Sequence, residues 1–164
     1  PKIDRKLISK KKDIVADLKK ILKSENILDH EDETRPFETD ALSAYKQKPM
    51  LVIFPENTKE VSKVLAYCNR ERIKVVPRGA GTGLSGGALP LADSVLLCLG
   101  KFNKIVKIDY KNKCVVAQPG VTNLSLQSSI SSAKPRLFPI SEILPSEIII
   151  SLSFNEIIDS LSTL

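Results

Sequence analysis

Residues 75–87, VVPRGAGTGLSGG, restrict the folds open to this chain more than any other stretch. Five of its seven glycines (Gly79, Gly81, Gly83, Gly86 and Gly87) fall there within nine residues, directly after a short apolar run ending at Pro77. Glycine lacks a Cβ and enters φ > 0 freely. Such a segment can turn sharply and aim several N–H groups at one point, at a backbone entropy cost of about 0.5–1 kcal/mol per glycine. Concave nests of N–H groups bind anions, phosphates above all. The hydroxyls of Thr82 and Ser85 add two donors, and Arg78 supplies a full positive charge. A purely structural turn needs one or two glycines, so five point to contact with a ligand.

The flanking elements alternate between strand and helix. Residues 51–54 (LVIF) are a continuous apolar run between Pro49 and Pro55, as in a buried strand. Asn57 or Thr58 is placed to cap a helix whose Val61, Val64, Leu65 and Cys68 share one face through about Arg70. Residues 73–76 form a second strand that delivers the chain into the glycine loop. Strand, helix, strand over this length is a βαβ unit, which calls for parallel strands and a right-handed crossover. After the loop, Pro90 prevents a long helix from starting at Gly87. Residues 94–99 (SVLLCL), 104–109 (KIVKID) and 113–118 (KCVVAQ) are β-rich. Tyr110, Lys111 and Asn112 join the last two at hairpin length. Pro119-Gly120 ends the third run, and residues 121–130 begin a helical pattern with Thr122 or Asn123 as cap.

Upstream, Leu7, Ile8, Ile14, Val15, Leu18, Ile21 and Leu22 recur at the spacing of an amphipathic helix. Residues 1–23 carry nine Lys/Arg against three Asp, a net of +6, so the rest of the chain is neutral. The basic balance therefore belongs to this arm, whose lysines read as a solvated face, and no nucleic-acid partner is expected. An acidic, turn-rich connector follows over residues 29–39. It holds the sole histidine, His30, with no second ligand at metal spacing, so no metal site is expected. Cys68, Cys98 and Cys114 are too widely spaced for a disulfide framework or a CxxC motif and read as buried free thiols. The first apolar segment is interrupted by charges at every turn. It is neither a secretory nor a transmembrane stretch, and the cytoplasm is the expected location.

The run Gly81-Thr82-Gly83-Leu84-Ser85-Gly86 fits GxGxxG. A nicotinamide-type Rossmann site, however, needs a helix opening inside the loop, and Pro90 with the strand from Ser94 leaves no room for one. The GK[ST] ending of an NTPase phosphate loop is also missing. What remains is a loop that cradles a phosphate-bearing ligand through backbone N–H groups, with no helix behind it.

The order PMLVIFPENTKEVSKVLAYC, KVVPRGAGTGLSGGALP, KIVKID and VVAQPGVTNLSL resembles the N-terminal half of the flavin domain of FAD-linked oxidases. These are the vanillyl-alcohol-oxidase and p-cresol-methylhydroxylase type, in the branch of the glycolate oxidase D subunit and D-lactate dehydrogenases. The resemblance covers residues 19–127, and PRGAGTGLSGGALP is its most specific part. It implies an α+β fold, a FAD-binding domain of the p-cresol-methylhydroxylase type with a small parallel βαβ subdomain plus antiparallel strands, here incomplete. It also implies that Pro77, Arg78, Gly79, Ala80, Gly81, Thr82, Gly83, Leu84, Ser85, Gly86 and Gly87 wrap the FAD pyrophosphate, and that Pro119 and Gly120 approach the flavin side. Some relatives attach FAD through a histidine in or beside this loop; none stands here, so noncovalent FAD is expected.

The implied function is FAD binding within a FAD-linked oxidoreductase that oxidises a 2-hydroxy acid such as glycolate or D-lactate. No catalytic residue can be named. Asp40 and Tyr45 lie in a region shared with the family, with no physical reason to call them catalytic. Three regions are expected: a basic helix and connector over 1–48, the N-terminal part of the FAD-binding domain over 49–127, and a divergent tail over 128–164. The tail has no glycine, and ten of its thirty-seven residues are Ser and eight Ile. The family's second glycine-rich stretch and its paired histidines do not follow. The expectation is thus a truncated chain, either a noncatalytic remnant or one complemented by a separately encoded remaining half. Residues 143–152 are apolar, β-prone and open to aggregation.

Overall fold

The computed structural model describes residues 3–112 and 114–133. The tail beyond residue 133, with the β-prone run at 143–152, lies outside the described residues. The chain divides into two compact units, one reaching Lys101 and the other starting at Phe102.

The first unit is built on a four-stranded sheet. Its interior strands, β2 (Leu51–Ile53) and β4 (Ser94–Cys98), are buried at every residue. Their unbroken apolar character is what coverage on both faces requires. β3 (Lys74–Arg78) pairs in parallel with β4 from Lys74↔Ser94 to Arg78↔Cys98. β2 pairs in parallel with β4 from Leu51↔Val95 to Ile53↔Leu97. A two-residue strand, β1 (Ile27–Leu28), lies antiparallel on β2, which gives the order β1-β2-β4-β3. The strand-helix-strand unit expected from residues 51–76 is present with parallel strands, but β4 occupies the place between them.

The crossover helix α4 (Thr58–Arg70) starts at Asn57, whose side chain accepts the Glu60 N–H at 3.0 Å. Val61, Val64, Tyr67 and Cys68 lie on its buried face. Val75 shares a recess with Leu65, Cys68 and Asn69, so α4 covers the face of β3 that Val75 occupies. On the opposite face, Val52, Leu96 and Cys98 form a core against which Leu28, Phe37, Phe54 and Val76 pack.

The single amphipathic helix expected near the N-terminus is two helices, α1 (Arg5–Ser9) and α2 (Lys11–Leu18). Lys10 leaves the helical region at φ −87° and ψ 8°, and its N–H turns back to the Leu7 carbonyl at 3.0 Å. Packing explains the break. Ile14, Val15, Leu18 and, past the helix, Leu22 are buried, whereas α1 buries nothing. Asp4 holds α1 instead: it caps the Leu7 N–H, and its own N–H donates to the buried Asp93 carboxylate at 2.8 Å. Lys74 Nζ reaches the same carboxylate at 2.7 Å. Burial raises the Asp93 carboxyl, and the bonds from Lys74 and Asp4 outweigh it, leaving the group below its ordinary value. The acidic connector forms a short helix, α3 (Glu31–Thr34), and a 3-10 turn, Arg35–Phe37.

In the second unit β5 (Ile105–Asp109) and β6 (Cys114–Ala117) make the expected antiparallel hairpin. Asp109 accepts the Asn112 N–H at 3.1 Å and fixes the turn. α5 (Asn123–Ala133) follows, with Thr122 Oγ1 accepting the Ser125 N–H at 3.2 Å. Val115, Ala117, Leu126 and Ile130 form the core of this unit. Among the described residues no helix is long and apolar enough to cross a membrane.

Candidate functional site

Residues 79–93 join β3 to β4, two parallel neighbours, without a helix. Such a crossover usually carries one, and its internal ladder would engage the backbone N–H groups. Here the N–H groups of residues 79–88 donate to no acceptor among the described residues; the first one engaged is that of Leu89, on the Gly86 carbonyl at 3.2 Å. The connection leaves the carboxyl end of β3, the end of an open parallel sheet where ligands settle. Topology and glycine content thus leave a run of donors free for an anion.

The glycines divide by cause. Gly81 has φ +73° and Gly86 φ +71°, a region other residues enter only with strain. Gly81 is also sterically bound: a Cβ there would meet Arg78 Nε at 2.6 Å and Cζ at 2.7 Å. Gly83 and Gly87 have neither constraint, since a Cβ on either would find nothing within 4 Å. Among the described residues neither backbone torsion nor a neighbour calls for glycine at those two positions, and the space beside them leaves the main chain open to a ligand. Thr82, Leu84 and Ser85 between them are exposed, as are Pro77, Gly79 and Ala80. No acidic side chain occurs from Pro77 to Ala88, so nothing in the loop repels an anion. The residues present therefore fit a pyrophosphate, whose oxygens need N–H groups at about 2.7–3.2 Å with no side chain between.

Arg78 does not extend into open space. Its Nη1 donates to the carbonyls of Thr39 at 2.8 Å and Phe37 at 3.3 Å, and its Cζ lies 5.7 Å from the Phe37 ring centroid. Phe37 in turn meets Phe54 edge to face at 5.8 Å. The connector also bonds to the loop directly, through the Ala41 N–H to the Gly81 carbonyl at 2.8 Å. Sequence reasoning missed this bracing. The partners stand about forty positions apart in the chain, and no local pattern announces them. Asp40 sits within the brace, buried, with Oδ1 accepting the Leu42 N–H at 2.9 Å and Oδ2 unpartnered among the described residues.

Pro119 and Gly120 belong to the second unit. The Gly120 N–H is already engaged by the Phe102 carbonyl at 2.7 Å, so it is not a free donor. Tyr45 is exposed. Cys98, paired with Arg78 across the sheet, is buried, and that burial pushes its thiol up to about 11 against the opposing influence of Arg78. Among the described residues no group of His, Cys, Asp and Glu is arranged to hold a metal ion.

Comparison with known proteins agrees with this geometry. A family model described as "FAD binding domain" matches residues 49–141, which carries the likeness past Gln127. Glycolate oxidase subunit GlcD of Escherichia coli strain K12 is 46% identical over 105 residues, covering 64% of this chain and 21% of that protein. A probable mitochondrial D-2-hydroxyglutarate dehydrogenase of Oryza sativa subsp. indica is 36% identical over 120 residues, covering 73% and 22%. The chain spans about a fifth of the length of these curated relatives. The crystal structure of p-cresol methylhydroxylase with substrate bound matches with a TM-score of 0.62 at 21% identity, over 80% of this chain and 26% of that one. It shares the α+β fold, with its parallel and antiparallel sheets. A helix-free glycine crossover with uncommitted N–H groups, carried on this fold and inside the matched residues, places the chain in the FAD binding domain family.

Proposed function

We propose that residues 77–87 cradle the pyrophosphate of noncovalently bound FAD, with Pro119-Gly120 near its flavin side. The observation that carries this reading is the row of backbone donors over residues 79–88 that has no acceptor among the described residues. The open space beside Gly83 and Gly87 supports it. The absence of histidine in and beside the loop, the sole one being His30, supports noncovalent attachment. When bound, FAD supplies two-electron redox chemistry; the protein holds and orients it. The purified chain is expected to show flavin absorbance and to release FAD on acid extraction. A colourless protein that fails to bind added FAD overturns the reading.

The names of the relatives, glycolate oxidase subunit and D-lactate or D-2-hydroxyglutarate dehydrogenase, support oxidation of a 2-hydroxy acid as the activity to which this domain contributes. A second reading is a binding module without turnover. Anaerobic addition of D-lactate or glycolate to the FAD-loaded chain separates the two. Bleaching of the flavin supports turnover, and unchanged colour supports the binding module. The relative's description as a subunit supports assembly with a separately encoded polypeptide, tested by co-expression and co-purification. A cytoplasmic location completes the proposal and is tested by fractionation.

A further inference from the structure

We propose that Arg78 acts as a positioning residue, clamping residues 38–47 against the glycine loop so that the loop's N–H groups are set before FAD arrives. The inference rests on the FAD reading above and deepens it. It assigns part of the site to residues upstream of the family-matched segment 49–141.

Residues 38–47 form a closed strap. The Gln47 N–H donates to the Glu38 carbonyl at 2.7 Å, and Lys46 pairs with Glu38 at 3.7 Å. Its turn is made by Asp40, which accepts the Leu42 N–H. Three contacts join strap to loop. Arg78 Nη1 holds the Thr39 and Phe37 carbonyls, Ala41 N–H holds the Gly81 carbonyl, and the Leu42 side chain lies against Gly86, 3.8 Å from where a Cβ would stand. Gly81 and Gly86 are the two loop glycines with positive φ. The strap therefore touches the loop at the two residues whose torsions set its path.

The guanidinium is fixed rather than mobile, because it lies over Phe37, which is itself wedged against Phe54 and the Val52–Leu96–Cys98 core. Lysine cannot replace this arrangement, having no planar fork to bond carbonyls while stacking on a ring. Donors fixed in advance bind an anion better than donors ordered at the moment of binding.

The test compares Arg78→Lys, Arg78→Met and Phe37→Leu in the full chain, using FAD itself as probe. FAD affinity is read from flavin fluorescence at two salt concentrations, and hydrogen exchange of the Ala41 amide is read without FAD. Both Arg78 variants are expected to lose about tenfold in affinity with the parent's salt dependence retained. Phe37→Leu, which keeps charge and loop intact, loses less. Ala41 exchanges faster in all three variants, while the amides of Val52 and Leu96 stay protected and show that the fold survives. If Arg78→Lys binds as the parent does and Arg78→Met does not, the charge itself contacts the phosphates and the positioning role is overturned. If the parent does not bind FAD, the function proposed above fails. Ala41 exchange then decides the brace alone: faster in the variants supports it, unchanged refutes it.

Discussion

The two units use the same elements to very different effect. In the first, β2 and β4 are enclosed on both faces, and Leu51, Val52, Ile53, Val95 and Leu96 are all at 0% exposure. Among the described residues of the second, a hairpin packs with α5, and Val106 stays 66% exposed on the strand β5. Among the described residues, the unit that carries the glycine loop thus encloses its sheet, and the unit that carries Pro119-Gly120 has the smaller core.

The sharpest way to break that comparison is to remove the same side chain from each unit. Leu96 and Leu126 are 0% and 3% exposed. Leu96→Ala is expected to cost about 3–4 kcal/mol in urea denaturation, because its neighbours cannot collapse into the space. Leu126→Ala is expected to cost about 2 kcal/mol, the low end for such a change, with exchange accelerating in residues 105–133 alone. Equal losses would mean that the second unit is as well packed as the first. Next in size are the helix caps. Asn57→Ala and Thr122→Ala each remove about 1 kcal/mol. The first frays only the start of α4, whereas the second releases all of α5, as amide exchange would show.

Acid sharpens the contrast further. Glu56 accepts bonds from Lys23, Asn26 and Lys101 at 2.8–3.1 Å, and these, Lys23 first, pull its carboxyl from 4.5 down to about 2. A carboxyl lower in the folded than in the unfolded chain stabilises fully above its ordinary value, and that contribution disappears as pH falls toward the folded value. Thermal melting of the parent should therefore decline between about pH 5 and pH 2 more steeply than that of Glu56→Gln. Parallel profiles would sink the assignment. The smallest effect is chemical. Burial pushes the thiols of Cys68 and Cys98 in the first unit up to about 11, whereas Cys114 in the second is only half-buried. Alkylation of the native protein should label Cys114 first, and early labelling of Cys98 would contradict the enclosed sheet.

The sequence showed best what depends on neighbours along the chain. The apolar run of β2, the Asn57 cap, the hairpin turn at Asp109–Asn112 and the helix-free glycine loop all follow from local rules, and each is present. Strand order was not legible. The run SVLLCL reads as β-rich in any sheet, and only burial on both faces tells that β4 belongs between β2 and β3. The break at Lys10 depends on which half of the arm finds a surface to pack on. The brace between Arg78 and Thr39 is invisible for the same reason, since one partner is a backbone carbonyl that any residue would supply. In the loop, the sequence could show that glycine was in excess but not which glycines answered to torsion and which to open space.

Pro77 acquires a further meaning from its place on β3, the outer strand of the sheet. The Arg78 carbonyl accepts the Leu99 N–H, so Arg78 directs its polar groups toward β4, and alternation turns those of Pro77 outward. The missing amide hydrogen falls on the side where another copy's strand would otherwise dock. It discourages edge-to-edge association there. The strand that feeds the glycine loop thereby carries its own guard against edge-to-edge pairing.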